Sequence, residues 1–271
     1  MSVRNPVVAG MFYPDDPENL KKQLHSLFSQ VKIRKTYQGV ISPHAGYVYS
    51  GLTAAYAIKS LKRSKRFIIL GPNHTGFGSK FAVDPNTQWE TPLGRCSIDT
   101  KLKTEIMKCE LVDEDELSHH AEHSIEVQLP FLQYRFKRFT FLPLCVMAEG
   151  YSERFLSECD ALAEVIAHIL NKYTDTSIVV SSDFSHYLPD EIARKKDDLA
   201  MQRIVRLDVE GFFQTLERIN ASICGYAPIT ILMLVAKKLG MKKAELIHYS
   251  TSGEVTKDFD SVVSYAAVGF K

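Results

Sequence analysis

At 271 residues, with 45% hydrophobic and 24% charged residues, the sequence has an ordinary globular composition and enough chain to bury a substantial core. A formal net charge of +1 argues against a surface that neutralises many phosphates, so no nucleic-acid partner is expected. Cys96, Cys109, Cys145, Cys159 and Cys224 are odd in number and contain no C-x-x-C pair, which argues against a disulfide framework or a zinc knuckle.

Residues 1 to 20 lack a continuous apolar h-region, and no run approaches the ~20 apolar residues of a membrane span. A cytoplasmic protein with no membrane partner is expected.

The chain opens with the extended stretch Val7-Val8-Ala9-Gly10-Met11-Phe12-Tyr13-Pro14. Asp15-Asp16-Pro17 then supplies cap and first-turn signals for a helix whose apolar stripe is Leu20, Leu24, Leu27 and Phe28. A strand over 38–42 delivers His44 and leads into a helix over about 50–62, with Leu52, Ala55, Ile58 and Leu61 against the sheet. Lys62-Arg63-Ser64-Lys65-Arg66 reads as a solvated loop before a second strand at 67–70, which ends at Gly71-Pro72-Asn73-His74. Short strands or a hairpin are expected within 80–99, followed by a helix over Leu102 to Met107.

Ser118 to Pro130 reads as a helix with His119, Glu122, His123 and Glu126 on one face, which could aim those groups at a site. A strand at 139–145 precedes a helix of about 153–171, with Phe155, Leu156, Leu162, Val165, Ile166 and Ile169 inward. A further strand at 177–182 gives Asp183 and His186. Residues 190–218 are strongly helical, Ala221 to Pro228 forms a loop into the apolar helix 228–239, and strands near 244–249 and 262–269 close the chain.

Brief apolar runs bounded by Gly, Pro, Ser and Asp are typical of strands buried on both faces of a parallel sheet. No repeat or low-complexity linker marks a boundary, so residues 1–271 are expected to form a single layered α/β/α domain around a largely parallel sheet.

Ligands of such sheets sit beyond the carboxyl ends of the strands. His44, His74, Asp183 and His186 should meet there, and a metal site is expected. A lone histidine is usually structural, which is the reading for His25, His168 and His248. His44 and His74 each follow a strand beside Gly or Pro, where folds tend to place function. Asp183-Phe184-Ser185-His186 reads either as a helix cap or as a ligand or acid/base pair. Cys224 is either a small buried hydrophobe or, preceding a helix start, a thiol with a lowered pKa that favours a metal-binding thiolate; chemistry alone leaves the two level.

Five motifs in order resemble the Memo family: Gly39-Val40-Ile41-Ser42-Pro43-His44-Ala45-Gly46-Tyr47, Leu70-Gly71-Pro72-Asn73-His74, Glu122-His123-Ser124-Ile125-Glu126-Val127-Gln128-Leu129-Pro130, Ser181-Ser182-Asp183-Phe184-Ser185-His186 and Ile223-Cys224-Gly225-Tyr226-Ala227-Pro228. The resemblance runs from Ala9 to Gly269. It implies a fold similar to the class III extradiol (LigB-type) dioxygenases, which hold ferrous iron with two histidines and a glutamate. It places His44, His74 and Cys224 in the metal-binding positions and Asp183 and His186 around the same pocket. A thiolate in place of the carboxylate changes the charge, softness and potential of the iron, which weighs against ring cleavage.

The resulting expectation is a redox or dioxygenase-like metalloprotein acting on a small substrate, with iron or copper preferred over zinc as cofactor. His186, Asp183 and His123 are the expected catalytic residues. The second reading is a non-catalytic module whose pocket captures a ligand, a peptide or a protein partner. A zinc hydrolase is the third.

Overall fold

The computed structural model describes residues 2–271. In chain order its elements are β1 (Val3–Arg4), α1 (Pro17–Gln30), β2 (Gly39–Ser42), α2 (Tyr47–Lys59), β3 (Arg66–Pro72), β4 (Phe81–Val83), β5 (Gln88–Thr91), β6 (Gly94–Ile98), α3 (Thr100–Ile106), β7 (Val112–Glu114), α4 (Leu117–His120), α5 (Gln128–Phe136), β8 (Thr140–Val146), α6 (Glu153–Lys172), β9 (Thr176–Ser181), β10 (His186–Leu188), α7 (Asp190–Val205), α8 (Val209–Arg218), α9 (Tyr226–Lys238), β11 (Ala244–Thr251), α10 (Gly253–Thr256) and β12 (Val262–Phe270). Among the described residues no helix is long and apolar enough to cross a membrane.

Five parallel strands, in the order β6-β8-β3-β9-β2, form the heart of the sheet. β12 joins β2 antiparallel and carries β11 along its length and β10 at its start. On the other side β5 turns back on β6 through Pro92-Leu93, β1 adds to β5, and β4 lies between β7 and β8.

The short apolar runs form strands because both of their faces are covered. Ile41, Ile68, Leu70, Leu142, Leu144, Ile178 and Val180 face one core with residues of α3, α6, α8 and α9. Their neighbours Val40, Phe67, Ile69, Phe141 and Val179 face the other, with residues of α1, α2 and α5. This alternation with period two makes the fold the expected layered α/β/α arrangement. Each large apolar side chain so buried contributes about 1.5–3 kcal/mol.

The expected helix over Ser118–Pro130 does not form as one element. α4 ends at His120, residues 121–127 run in turns, and α5 begins at Gln128 with Pro130 in its first turn, where a missing N–H costs little. The cause is Glu122, whose carboxylate accepts from the amides of Ile125 at 2.7 Å and Glu126 at 3.2 Å and from the Ser124 hydroxyl, offering the backbone an alternative to a helix. Residues 190–218 likewise divide into α7 and α8, because Leu207 adopts a φ of 55° and Asp208 caps the second helix by accepting from the Gly211 amide. α2 begins at Tyr47, earlier than expected.

Candidate metal centre

Because β2, β3 and β9 are parallel neighbours, their carboxyl ends open on one edge, and the side chains just beyond them meet there. The expected trio converges: one donor atom each from His44, His74 and Cys224 lies within 4.8 Å of the others. His44 is buried, Cys224 half-buried and His74 exposed.

His44 is held by a chain of hydrogen bonds that fixes its tautomer. The Ser181 hydroxyl donates to the Ser124 carbonyl at 2.7 Å, so its oxygen must accept from His44 Nδ1, 2.9 Å away. Gln128 Nε2 donates to the same oxygen at 3.0 Å and to the Pro43 carbonyl at 2.9 Å, while Gln128 Oε1 accepts from Ser42. With Nδ1 committed, His44 Nε2 presents a lone pair toward Cys224 Sγ at 3.3 Å.

His74 is delivered by a turn wound around Asn73. Asn73 Oδ1 accepts from the Thr75 amide and hydroxyl and from the Gly76 amide, and its Nδ2 donates to the Phe77 carbonyl at 2.7 Å. Cys224 comes from the loop before α9, which lies against the end of β9. A Cβ on Gly225 would stand 2.6 Å from the Ser181 carbonyl oxygen, so only glycine allows that approach.

Asp183 Oδ1 accepts from the His44 amide at 2.9 Å, and its Oδ2 lies 3.9 Å from His44 Nε2. The Asp183 amide donates to Cys224 Sγ at 3.3 Å. Phe184 anchors this turn in the core, fully buried, with its amide bonded to the Ser264 carbonyl at 2.8 Å. At the turn's end His186 Nδ1 lies 2.8 Å from the Ser222 carbonyl and must donate to it, which leaves Nε2 free. His123, from the turn after α4, stacks on His74 with ring centroids 4.7 Å apart and meets His44 edge-on at 5.7 Å.

The electrostatics favour neutral imidazoles. Burial, then the nearby His74, His123 and His186, holds His44 well below the ordinary histidine value. Although His74 as a whole residue is exposed, desolvation of its ring among the neighbouring side chains, together with His123 and His186, pushes it down to about 4, and burial also lowers His123. Desolvation pushes the Asp183 carboxyl up to about 6, against the opposing pull of the His44 amide and His186.

Of the two level readings of Cys224, the thiol lowered by the start of α9 is disfavoured in the metal-free chain: burial, followed by the Asp183 charge, pushes it up, because desolvation of a thiolate outweighs the partial charge of one helix end. Cys109 and Cys159 are buried beside α3 and in α6.

The polar face expected over 119–126 is dispersed. Only His123 enters the pocket. His119 is buried edge-on against Trp89, with Nε2 bonded to the Ala82 carbonyl. Glu126 is fully buried elsewhere, accepting from Arg4 Nη1 and Tyr13 Oη at 2.8 Å and from the amides of Val7 and Val8. His25 and His168 are exposed and His248 is half-buried against Tyr56. The sequence reading missed Ser181, Gln128 and Ser222 as orienting groups, and Phe12, whose ring meets His123 edge-on at 5.2 Å. All four lie inside stretches singled out in the sequence, but nothing in their spacing disclosed the partner.

The donor set suits a transition metal. Two imidazoles and a thiolate are ligands of iron, copper or zinc, and nitrogen and sulfur atoms 3.3 Å apart can share an ion at bond lengths of about 2.0–2.3 Å.

Comparison with known proteins identifies the family and supports the fold. The family described as Memo-like protein matches residues 4–269. A MEMO1 family protein of Methanosarcina barkeri is 45% identical over 269 residues, covering 98% of this chain and 99% of the relative. Another, from Saccharolobus solfataricus, is 42% identical over 286 residues, covering 98% and 99%. The crystal structure of an uncharacterized Escherichia coli K12 protein is similar in fold at a TM-score of 0.58 and 12% identity, covering 85% of this chain and 98% of that one.

Proposed function

The chain belongs to the Memo-like protein family, and on that premise we propose that it is a mononuclear metalloprotein holding iron or copper through His44, His74 and Cys224 to act oxidatively on a small molecule. The observation that carries this reading is the fixed tautomer of His44, whose Nε2 lone pair is aimed at the space it shares with Cys224 Sγ. A buried acceptor next to a half-buried thiol gains little for folding, whereas a metal uses both.

A bound iron or copper ion would supply one-electron redox chemistry. The chain supplies the rest. Asp183, with its carboxyl near neutrality, can hold or release a proton beside His44. His186, oriented by Ser222, keeps Nε2 available to take a proton from a substrate at the pocket. His123 and Phe12 wall one side of it.

The second reading, capture of a ligand or peptide without turnover, is favoured by the exposed Val48, Tyr49, Phe77 and Tyr187, each close in sequence to a pocket residue. Metal analysis of protein purified without oxygen or chelator, followed by oxygen uptake with candidate substrates, separates these. About one iron or copper per chain, lost in His44→Ala, is expected. Stoichiometric zinc, or no metal, would reject the oxidative reading.

A further inference from the structure

A large hollow lies away from the metal centre, at the opposite end of the sheet, where β6 and β8 begin. It encloses about 1050 Å³ between α1, the β5–β6 turn and the end of α5. We propose that this hollow is a binding site for a small polyanion carrying a flat apolar group, the class to which nucleoside phosphates belong.

The first argument is charge. Although the chain is nearly neutral, Lys21, Lys22, Arg95, Lys137 and Arg138 face this hollow against the single carboxylate of Glu18. Glu18 pairs with Lys21 at 2.8 Å and Glu90 stands 3.6 Å from Arg95; among the described residues Lys22, Lys137 and Arg138 form no ion pair. The bland account is that Lys137 and Arg138 answer the negative end of α5. It does not explain why Lys22 from α1 and Arg95 from the hairpin turn to the same space, where like charges repel until an anion enters.

The second argument is backbone. Lys137 ends α5 at φ 59° and ψ −52°, a conformation that costs a side-chain-bearing residue and suits glycine. Strain of this kind persists only where the surrounding structure holds it, and the residue so held presents a cation to the hollow.

The third argument is the apolar part of the lining, Leu93, Tyr134 and Phe139. Tyr134 is braced by stacking on Phe28 with centroids 5.1 Å apart and by a 2.9 Å hydrogen bond to His25 Nδ1, so its ring is a fixed surface for a flat group. A volume of this size holds a molecule with a ring system and a phosphate chain.

The test is calorimetric titration of the intact chain, at about 0.15 M salt, with the magnesium salt of ATP, with inorganic triphosphate and with adenosine. ATP is expected to bind saturably and more tightly than either fragment. Combining Lys22→Gln, Lys137→Gly and Arg138→Gln should weaken it at least tenfold, with metal bound at His44, His74 and Cys224 unchanged. Lys137→Gly alone should weaken ATP while leaving thermal stability equal or higher, since glycine adopts that φ freely. Absence of saturable binding, or equal affinity in the triple variant, would overturn the proposal. So would tighter binding of a short single-stranded RNA through the same residues, which would make the occupant a nucleic acid.

Discussion

Two buried polar clusters both lean on the turn of residues 121–127, one around Glu126 and one around His44, and they differ in how their lone pairs are used. Glu126 spends its oxygens on Arg4, Tyr13 and two backbone amides, and Arg4 in turn donates to the carbonyls of His119 and Glu122 and lies 4.0 Å over the Trp89 ring. Every partner is protein, and the cluster ties the first residues of the chain to the turn that carries His123. Around His44 the orienting bonds are equally complete on the outer side, at Nδ1 and at Asp183 Oδ1, whereas inward His44 Nε2 has only the weak Cys224 thiol at 3.3 Å, whose sulfur accepts from the Asp183 amide. A saturated buried network is architecture, and a half-saturated one whose free atoms converge is a site.

The largest effect should come from breaking the saturated cluster. Glu126→Ala leaves Arg4 buried without its counter-charge and should cost about 3–5 kcal/mol in denaturant unfolding. A loss below ~1 kcal/mol, within the range of surface substitutions, would remove the contrast.

A second comparison uses pH on metal-free protein. His74 has a folded pKa near 4 against an unfolded value near 6.5, so the unfolded chain binds the extra proton as pH falls through that window and stability is lost. His74→Gln lacks this loss. The variant should therefore gain on the wild type as pH drops from 6.5 toward about 4, and a constant difference would place His74 in solvent with no histidine neighbours.

The smallest effect is expected at His186. It is half-buried outside both cores, and His186→Ala should cost roughly 1 kcal/mol or less while abolishing proton-transfer function. Loss of several kcal/mol with unchanged metal or ligand binding would move it to the architectural cluster.

The parallel strands and their order-setting loops were legible in the sequence because burial on both faces leaves runs such as Phe67-Ile68-Ile69-Leu70 uniformly apolar. His44 and His74 were legible for the same reason: a residue just past such a run has one place to go. Glu126 was not, because its partners Arg4, Val7, Val8 and Tyr13 lie more than a hundred residues away. Periodicity gave it a helical face that local capture of amides by Glu122 then dissolved. Cys224 was legible in place but not in titration, since desolvation depends on neighbours that spacing does not report.

The most direct test of the metal centre is the affinity of wild type and Cys224→Ser for copper(I) and for ferrous iron, measured anaerobically on folded protein of matched stability. Serine keeps nearly the same volume but offers a hydroxyl that is harder to ionise and a poorer partner for soft metals. If Cys224 is a ligand with His44 and His74, affinity falls at least tenfold, about 1.4 kcal/mol, with the fold intact. Equal affinity in the two proteins would contradict the account and leave the two histidines with an oxygen ligand such as Asp183.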